Sequence, residues 1–357
     1  MTASTLFARL RGRPLAAWIE SGRDNMTLTR LLAAVAVLFG HSYALAGLGM
    51  AEHDPVRRLL GQTYSHFIGV MMFFTISGLL ITLAWQRRPQ LAYFLRSRAL
   101  RILPALLACV AVCALLLGAV FTSLPIADYF SAPATWRYIT GNASLIDLQW
   151  RLPGVFAANP TTDYVNGSLW TLPVEAGLYL AVAVVGAAGL LTRRTWLATA
   201  AVVLLAGGWL YRPLTGPEPV GIETALIAFF AFGALCCINR HWLPLSGALL
   251  LAIIAAAWIA YGTPLYQPLL ALAIAYGTLW LVYVPRLPQW RLGDLSYGTY
   301  LWGFPVQQVL IATTDLREPL LIFAACLLPT LALAGLSWHA IERTALRLKQ
   351  PARNAAA

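Results

Sequence analysis

The chain has 357 residues, 59% of them hydrophobic and only 11% charged, with a mean hydropathy of +0.69. A soluble domain of this length carries about a quarter charged residues, so a water-covered globule is excluded and lipid is the expected outer solvent. The net charge of +11 does not point to nucleic acid: the basic residues gather in short segments between apolar runs, as cytoplasmic loops do, and no basic–aromatic patch lies outside them.

Residues 1–27 mix Leu, Phe and Trp with arginines and read as a basic cytoplasmic segment lying along the inner interface. Apolar runs follow at 28–48, 66–84, 102–122, 170–190, 196–211, 221–238, 244–260, 266–284, 296–312 and 318–338. Most approach the roughly 20 residues that cross a bilayer. They predict an all-α fold, a polytopic transmembrane helical bundle of about ten spans. The run at 196–211 is short, so nine or eleven spans stay open. With the N-terminus in the cytoplasm, nineteen of the 25 basic residues fall inside and six outside, and the inverted orientation reverses that ratio. Both termini are therefore expected to be cytoplasmic. The membrane domain occupies 28–343, and 344–357 form a cytoplasmic tail.

Two segments need separate reading. Residues 31–46 end in Ala-Leu-Ala and imitate a signal-peptidase site, but about 30 residues precede them, long for a signal n-region. An uncleaved first span is expected. Residues 123–169 form the sizeable outer stretch, with Pro125, Pro133, Pro153 and Pro160 among Trp136, Tyr138, Trp150 and Tyr164. That composition predicts an irregular lid at the headgroup level. Five cysteines, Cys109, Cys113, Cys236, Cys237 and Cys326, lie in or beside apolar runs without Cys-x-x-Cys spacing and read as small apolar filler.

An ionisable group inside a span is costly, so each is a functional candidate. His41 follows Arg30 by eleven positions, which returns to nearly the same helical face about 16 Å deeper. The plain alternatives are a positive-inside anchor for Arg30 and a packing hydrogen bond for His41. Glu175, in NGSLWTLPVE (166–175), enters the fourth span from outside to a depth similar to that of His41. A carboxylate there can fix an imidazole's tautomer and raise its basicity. Equally, it can sit in a helix's first turn, where anions are favourable. Arg96, Arg98 and Arg101, in FLRSRALRILP (94–104), suit phosphate as well as ordinary anchoring. Ser77 and Gly78 permit close helix contact near mid-membrane. Gly303 and Pro305, followed by Gln307 and Gln308, predict a broken span lining a cavity or a packed interior. Glu52, His53 and Asp54 read as a solvated outer loop, and His66, His241, His339 and Glu342 receive no chemical role. No grouping has metal-ligand spacing, so no metal is expected.

At these residues the chain resembles the acyltransferase family 3 membrane enzymes, which include bacterial O-antigen and exopolysaccharide O-acetyltransferases. The Arg-x10-His motif matches Arg30 and His41, and Phe-Phe-x-x-Ser-Gly matches Phe73, Phe74, Ser77 and Gly78. The arginine-rich segment ending in Arg-Ile-x-Pro matches Arg98, Arg101, Ile102 and Pro104. Trp-Ser-Leu-x-Val-Glu matches Trp170, Leu172, Val174 and Glu175, with Thr171 in place of Ser. Ser-Tyr-x-x-Tyr-Leu matches Ser296, Tyr297, Tyr300 and Leu301, and Ile-Glu-Arg matches 341–343. The motifs run in the family's order over nearly the whole chain. Many members carry a His in the ninth span where this chain has Gly303, and some carry a C-terminal esterase-like domain where this chain ends.

The resemblance implies ten helices in the bacterial cytoplasmic (inner) membrane and a cytoplasmic acyl-CoA donor, acetyl-CoA by default, used as co-substrate with no tightly bound cofactor. It also implies a cell-surface glycan or lipid-linked sugar, such as lipopolysaccharide or exopolysaccharide, as acceptor. On this expectation His41, oriented by Glu175, takes the proton of the acceptor hydroxyl, while Arg30, Arg96, Arg98 and Arg101 hold the donor's phosphates. A transient acyl-histidine is the alternative chemistry. Ser77, Trp170, Tyr297 and Gln307 line the site. The rival readings are a transporter or flippase for a glycosylated or amphipathic solute, weakened by the lack of similar halves, and an assembly scaffold. Oligomeric state is left open.

Overall fold

The computed structural model describes residues 12–193, 221–290 and 292–349. These are almost entirely helical. Among them, six helices are long and apolar enough to cross a membrane: Met26–Leu45, Ser65–Arg87, Leu91–Phe121, Gly167–Ala187, Tyr266–Tyr283 and Pro319–Arg347. Ile222–Ile238 and Gly247–Ile259 are shorter apolar helices, and Ser296–Thr313 is a further helix of 18 residues. The expected run at 196–211 lies outside the described residues. Large apolar side chains stand exposed along several of these helices, including Leu116, Val120, Val184, Leu251, Leu328 and Leu336. Contiguous exposed apolar surface of this kind suits lipid rather than water.

The chain divides into two compact units. The first comprises 1–33, 70–94 and 177–291. In it, Gly78 meets the carbonyl of Phe230 and Gly233 meets the carbonyl of Thr75, with no room for a Cβ at either position. The segment expected only to lie at the interface is partly built into this unit. Arg13–Pro14 pairs antiparallel with Pro244–Leu245, and Leu15 is fully buried in the same apolar cluster as Leu79, Tyr276 and Val282.

The second unit comprises 34–69, 95–176 and 292–357. Ser296–Thr313 and Pro319–Ser337 form its central antiparallel pair, with Gly298 against the backbone of Ala334. The expected break in the first of these helices does not occur. Pro305 removes the N–H that would serve the carbonyl of Leu301, and the Asn166 side chain donates to that carbonyl instead, at 2.9 Å. The outer stretch is also more ordered than its composition implies. Helices Ile126–Ser131 and Pro133–Ser144 bury Tyr129 and Tyr138 completely, and the Tyr129 hydroxyl donates to the carbonyl of Ala114 at 2.7 Å. Ala114 lies in a π-turn, Cys113–Leu117, where a widened backbone frees a carbonyl for such a partner.

Candidate active site

His41 lies one turn from the end of the helix Met26–Leu45, half-buried in the second unit. Its ring packs edge-on against Phe304, with centroids 5.3 Å apart, and faces the ring of His66 at 5.3 Å, tilted by 32°. Among the described residues it makes no hydrogen bond to another side chain or to the backbone, which leaves its nitrogens for a substrate. The turn below it is fixed by Gln307, whose amide donates to the Leu38 carbonyl (2.8 Å) and the Ser42 hydroxyl (2.7 Å).

His66, to which the sequence assigned no role, is brought to His41 by two features. Gly40 packs against the backbone and ring of His66 so closely that a Cβ at 40 collides with both. His66 is also the second residue of its helix, and Asp54 holds that helix end. The Asp54 carboxylate accepts from the Ser65 amide (2.9 Å) and hydroxyl (2.8 Å), and from the Val56 amide (2.8 Å). Asp54 is therefore not part of a solvated loop: it is wholly buried. Sequence separation hides this grouping, and the one available signal was a glycine beside His41 with no turn to require it.

Glu175 stands half-buried on Thr171–Ala187. Like His41, it belongs to the second unit. The entry to its helix is pinned elsewhere. Asn166 is bonded to Leu301, the Tyr300 hydroxyl donates to the Ser168 carbonyl (2.7 Å), and the Thr171 and Tyr300 hydroxyls share a hydrogen bond of 2.5 Å. Trp170 closes the 3-10 turn before that helix, half-buried, and Tyr297 is buried with its hydroxyl donating to the Ile102 carbonyl at 3.0 Å.

The arginines share one helix, Leu91–Val112, but not one environment. Arg101 is held by Asp294 at 2.6 Å and lies 3.6 Å from Glu342, with its guanidinium 5.8 Å from the Tyr297 ring centroid. Ser337 and Ser296 bond the same two carboxylates. Arg101 is thus tied into the protein by two carboxylates. Arg96 is exposed and donates to the Leu348 carbonyl at 3.1 Å, and half-buried Arg98 bonds the Ser97 hydroxyl at 3.2 Å. Lys349 joins them: burial, then the charges of Arg98 and Arg101, push its ammonium down to about 8. Of the remaining candidates, Arg30 and Ser77 belong to the first unit, where Arg30 lies 5.9 Å from the Phe73 ring centroid.

A groove of about 580 Å³ opens in the second unit, lined by Phe121, Phe156, Asn159, Thr313, Asp315 and Arg317 among others. Phe156 has φ 57°, an uncommon conformation for a side chain of its size. Asn159 donates to the side-chain oxygen of Gln308 at 3.0 Å, next to the glutamine that fixes the His41 turn.

A half-buried imidazole with no hydrogen-bond partner among the described residues, and a basic cluster on another helix, fit group transfer better than packing. The comparisons agree. Residues 23–339 match the acyltransferase domain of the acyltransferase 3 family. The chain is 29% identical over 345 residues to an O-acetyl transferase of Shigella phage Sf6, covering 90% of this chain and 96% of that protein. It is 29% identical over 368 residues to Nodulation protein 10 of Rhizobium leguminosarum bv. viciae, covering 92% and 94%. No solved structure gives a significant match. The chain is an acyltransferase and belongs to the acyltransferase 3 family of membrane proteins.

Proposed function

We propose that this enzyme moves an acyl group, acetyl by preference, from cytoplasmic acyl-CoA to a hydroxyl of a cell-surface or lipid-linked glycan. The observation that carries the reading is His41: a half-buried imidazole without a hydrogen-bond partner among the described residues, on the unbroken helix that also holds Arg30. As the acceptor oxygen attacks the thioester carbonyl, His41 takes the hydroxyl proton. Arg98, Arg96 and Lys349 attract the donor's phosphates, with Arg101 as their fixed centre. Arg30 is kept as a phosphate contact on the sequence motif. Glu175 is kept as the group that orients His41 on the sequence motif. The outer groove, with aromatic faces, amides and two charges, has the chemistry that binds sugars.

This reading places the protein in ten spans of the bacterial inner membrane. The phage relative's printed name supports O-acetyl transfer. The test is radiolabelled acetyl-CoA given to purified protein in detergent with candidate acceptor glycans. Label on the glycan is expected. His41→Ala should lower transfer by at least about 100-fold with membrane insertion intact. Full activity in that variant ends the mechanism, and movement of an unmodified glycan across vesicles would favour transport instead.

A further inference from the structure

His66 is the titratable side chain packed on His41, and the family resemblance assigns it nothing. The chain lacks an imidazole at Gly303, and a Cβ there points at Leu38, 3.0 Å away. His66 approaches His41 from a different helix, at 5.3 Å between ring centroids. Three observations give it more than a packing role. Its Nδ1 is buried and has no hydrogen-bond partner. The wholly buried Asp54 carboxylate, which caps the same helix end, acts on it electrostatically. Gly40 is spent on the approach of the two helices, since any side chain there would part the rings. Tyr64 stacks on it at 5.5 Å and Phe67 lies at 4.3 Å, and among the described residues Asp54 is the charged group that acts on the ring.

We propose that His66 is the proton partner of His41, acting through it during transfer and resting on the acyltransfer reading above. The acceptor oxygen forms the new C–O bond, and its proton moves to His41. The C–S bond breaks, and the CoA thiolate leaves with the bonding pair and is protonated by water on the donor side. His41 returns to neutrality by passing one proton to His66, whose cation faces Asp54 and then loses that proton to water on the acceptor side. No oxidant or further reactant is needed. Asp54 stabilises the intermediate cation, which a lone buried imidazole would hold only at high cost.

The test measures steady-state transfer from acetyl-CoA by the full chain in detergent. His66→Gln keeps a hydrogen-bonding side chain but cannot carry the proton. It should lower kcat about 100-fold while leaving both KM values within about twofold. His66→Ala should show the same loss and regain rate on addition of imidazole, a rescue that a purely packing role would not give. Wild-type kcat in His66→Gln overturns the proposal, as does a folded, inactive His66→Ala protein that imidazole leaves inactive. Where His66→Ala does not insert, His66→Gln decides alone. Wild-type protein that acylates no glycan would sink the acyltransfer reading instead, so the two failures are distinct.

Discussion

Arg101 and Lys349 are neighbours with opposite electrostatic situations. Arg101 spends its charge on Asp294 and, more distantly, on Glu342, and removing either carboxylate would leave a buried cation under-compensated. Lys349 has the reverse problem: it is partly buried beside Arg98 and Arg101, and its ammonium titrates at about 8 instead of the ordinary 10.5. A ligand phosphate arriving among these cations favours the charged form of Lys349 and raises its pKa. Binding above pH 8 is therefore accompanied by proton uptake, and affinity for acetyl-CoA falls as pH rises through 8 toward 9. The groups facing the lysine include Arg96, Arg98 and Arg101, whose guanidinium charge does not change over that range. Calorimetry of acetyl-CoA binding at pH 8.5 in two buffers of different ionisation enthalpy should report uptake of part of a proton. Lys349→Met should abolish that uptake and flatten the pH dependence. Equal heats in both buffers for the wild type would remove Lys349 from the donor site.

At the scale of the helix, Asn166 and Pro305 make one structural device from two distant positions. Pro305 orphans the Leu301 carbonyl and Asn166 supplies the missing donor, so the helix continues and keeps Phe304 against His41. Asn166→Leu leaves that carbonyl with only the long Cys109 thiol contact at 3.6 Å, which costs about 1–3 kcal/mol. Its thermal midpoint should fall by several degrees, and transfer should fall with it because the His41 turn loses its neighbour. An unchanged midpoint would mean the carbonyl has found another donor. This pairing also marks where the sequence stops being legible. The helices Met26–Leu45, Ser65–Arg87 and Tyr266–Tyr283 lie within a few residues of their apolar runs, because hydropathy alone specifies a lipid-facing helix. The helix Leu91–Phe121 starts eleven residues before its apolar run at 102: Arg96, Arg98 and Arg101 break the hydropathy signal but not the backbone, since long basic side chains reach the interface from a helix. The continuity of Ser296–Thr313 and the His41–His66 contact depend on partners far along the chain, and no local pattern encodes them. The Arg30–His41 spacing was legible because both residues share one helix; the His41–His66 contact was not, because His66 lies on another.

The whole molecule poses a question of parity. Contacts inside each unit tie chain segments to one side of the membrane, so the number of crossings between two touching segments must be even. In the first unit Arg13–Pro14 pairs with Pro244–Leu245, and the Ala16 amide donates to the Arg240 carbonyl at 2.9 Å. Between those segments the described helices that can cross are Met26–Leu45, Ser65–Arg87, Leu91–Phe121, Gly167–Ala187 and Ile222–Ile238, an odd number. In the second unit Arg96 donates to the Leu348 carbonyl. If every later helix crosses once, the number between these two is odd as well. One additional crossing satisfies both counts; the sequence expects a span at 196–211, which lies outside the described residues. The layout expected from the sequence, ten spans with both termini cytoplasmic, satisfies both counts. Single cysteines test the layout with little background, because all five native cysteines are buried. A membrane-impermeant maleimide should label Ser144→Cys and Tyr261→Cys on intact spheroplasts, and should reach Gln90→Cys and His241→Cys only after permeabilisation. Labelling of His241→Cys from outside, with Gln90→Cys still protected, would mean that 196–211 does not cross. The pairing of 13–14 with 244–245 would then have to break in the membrane.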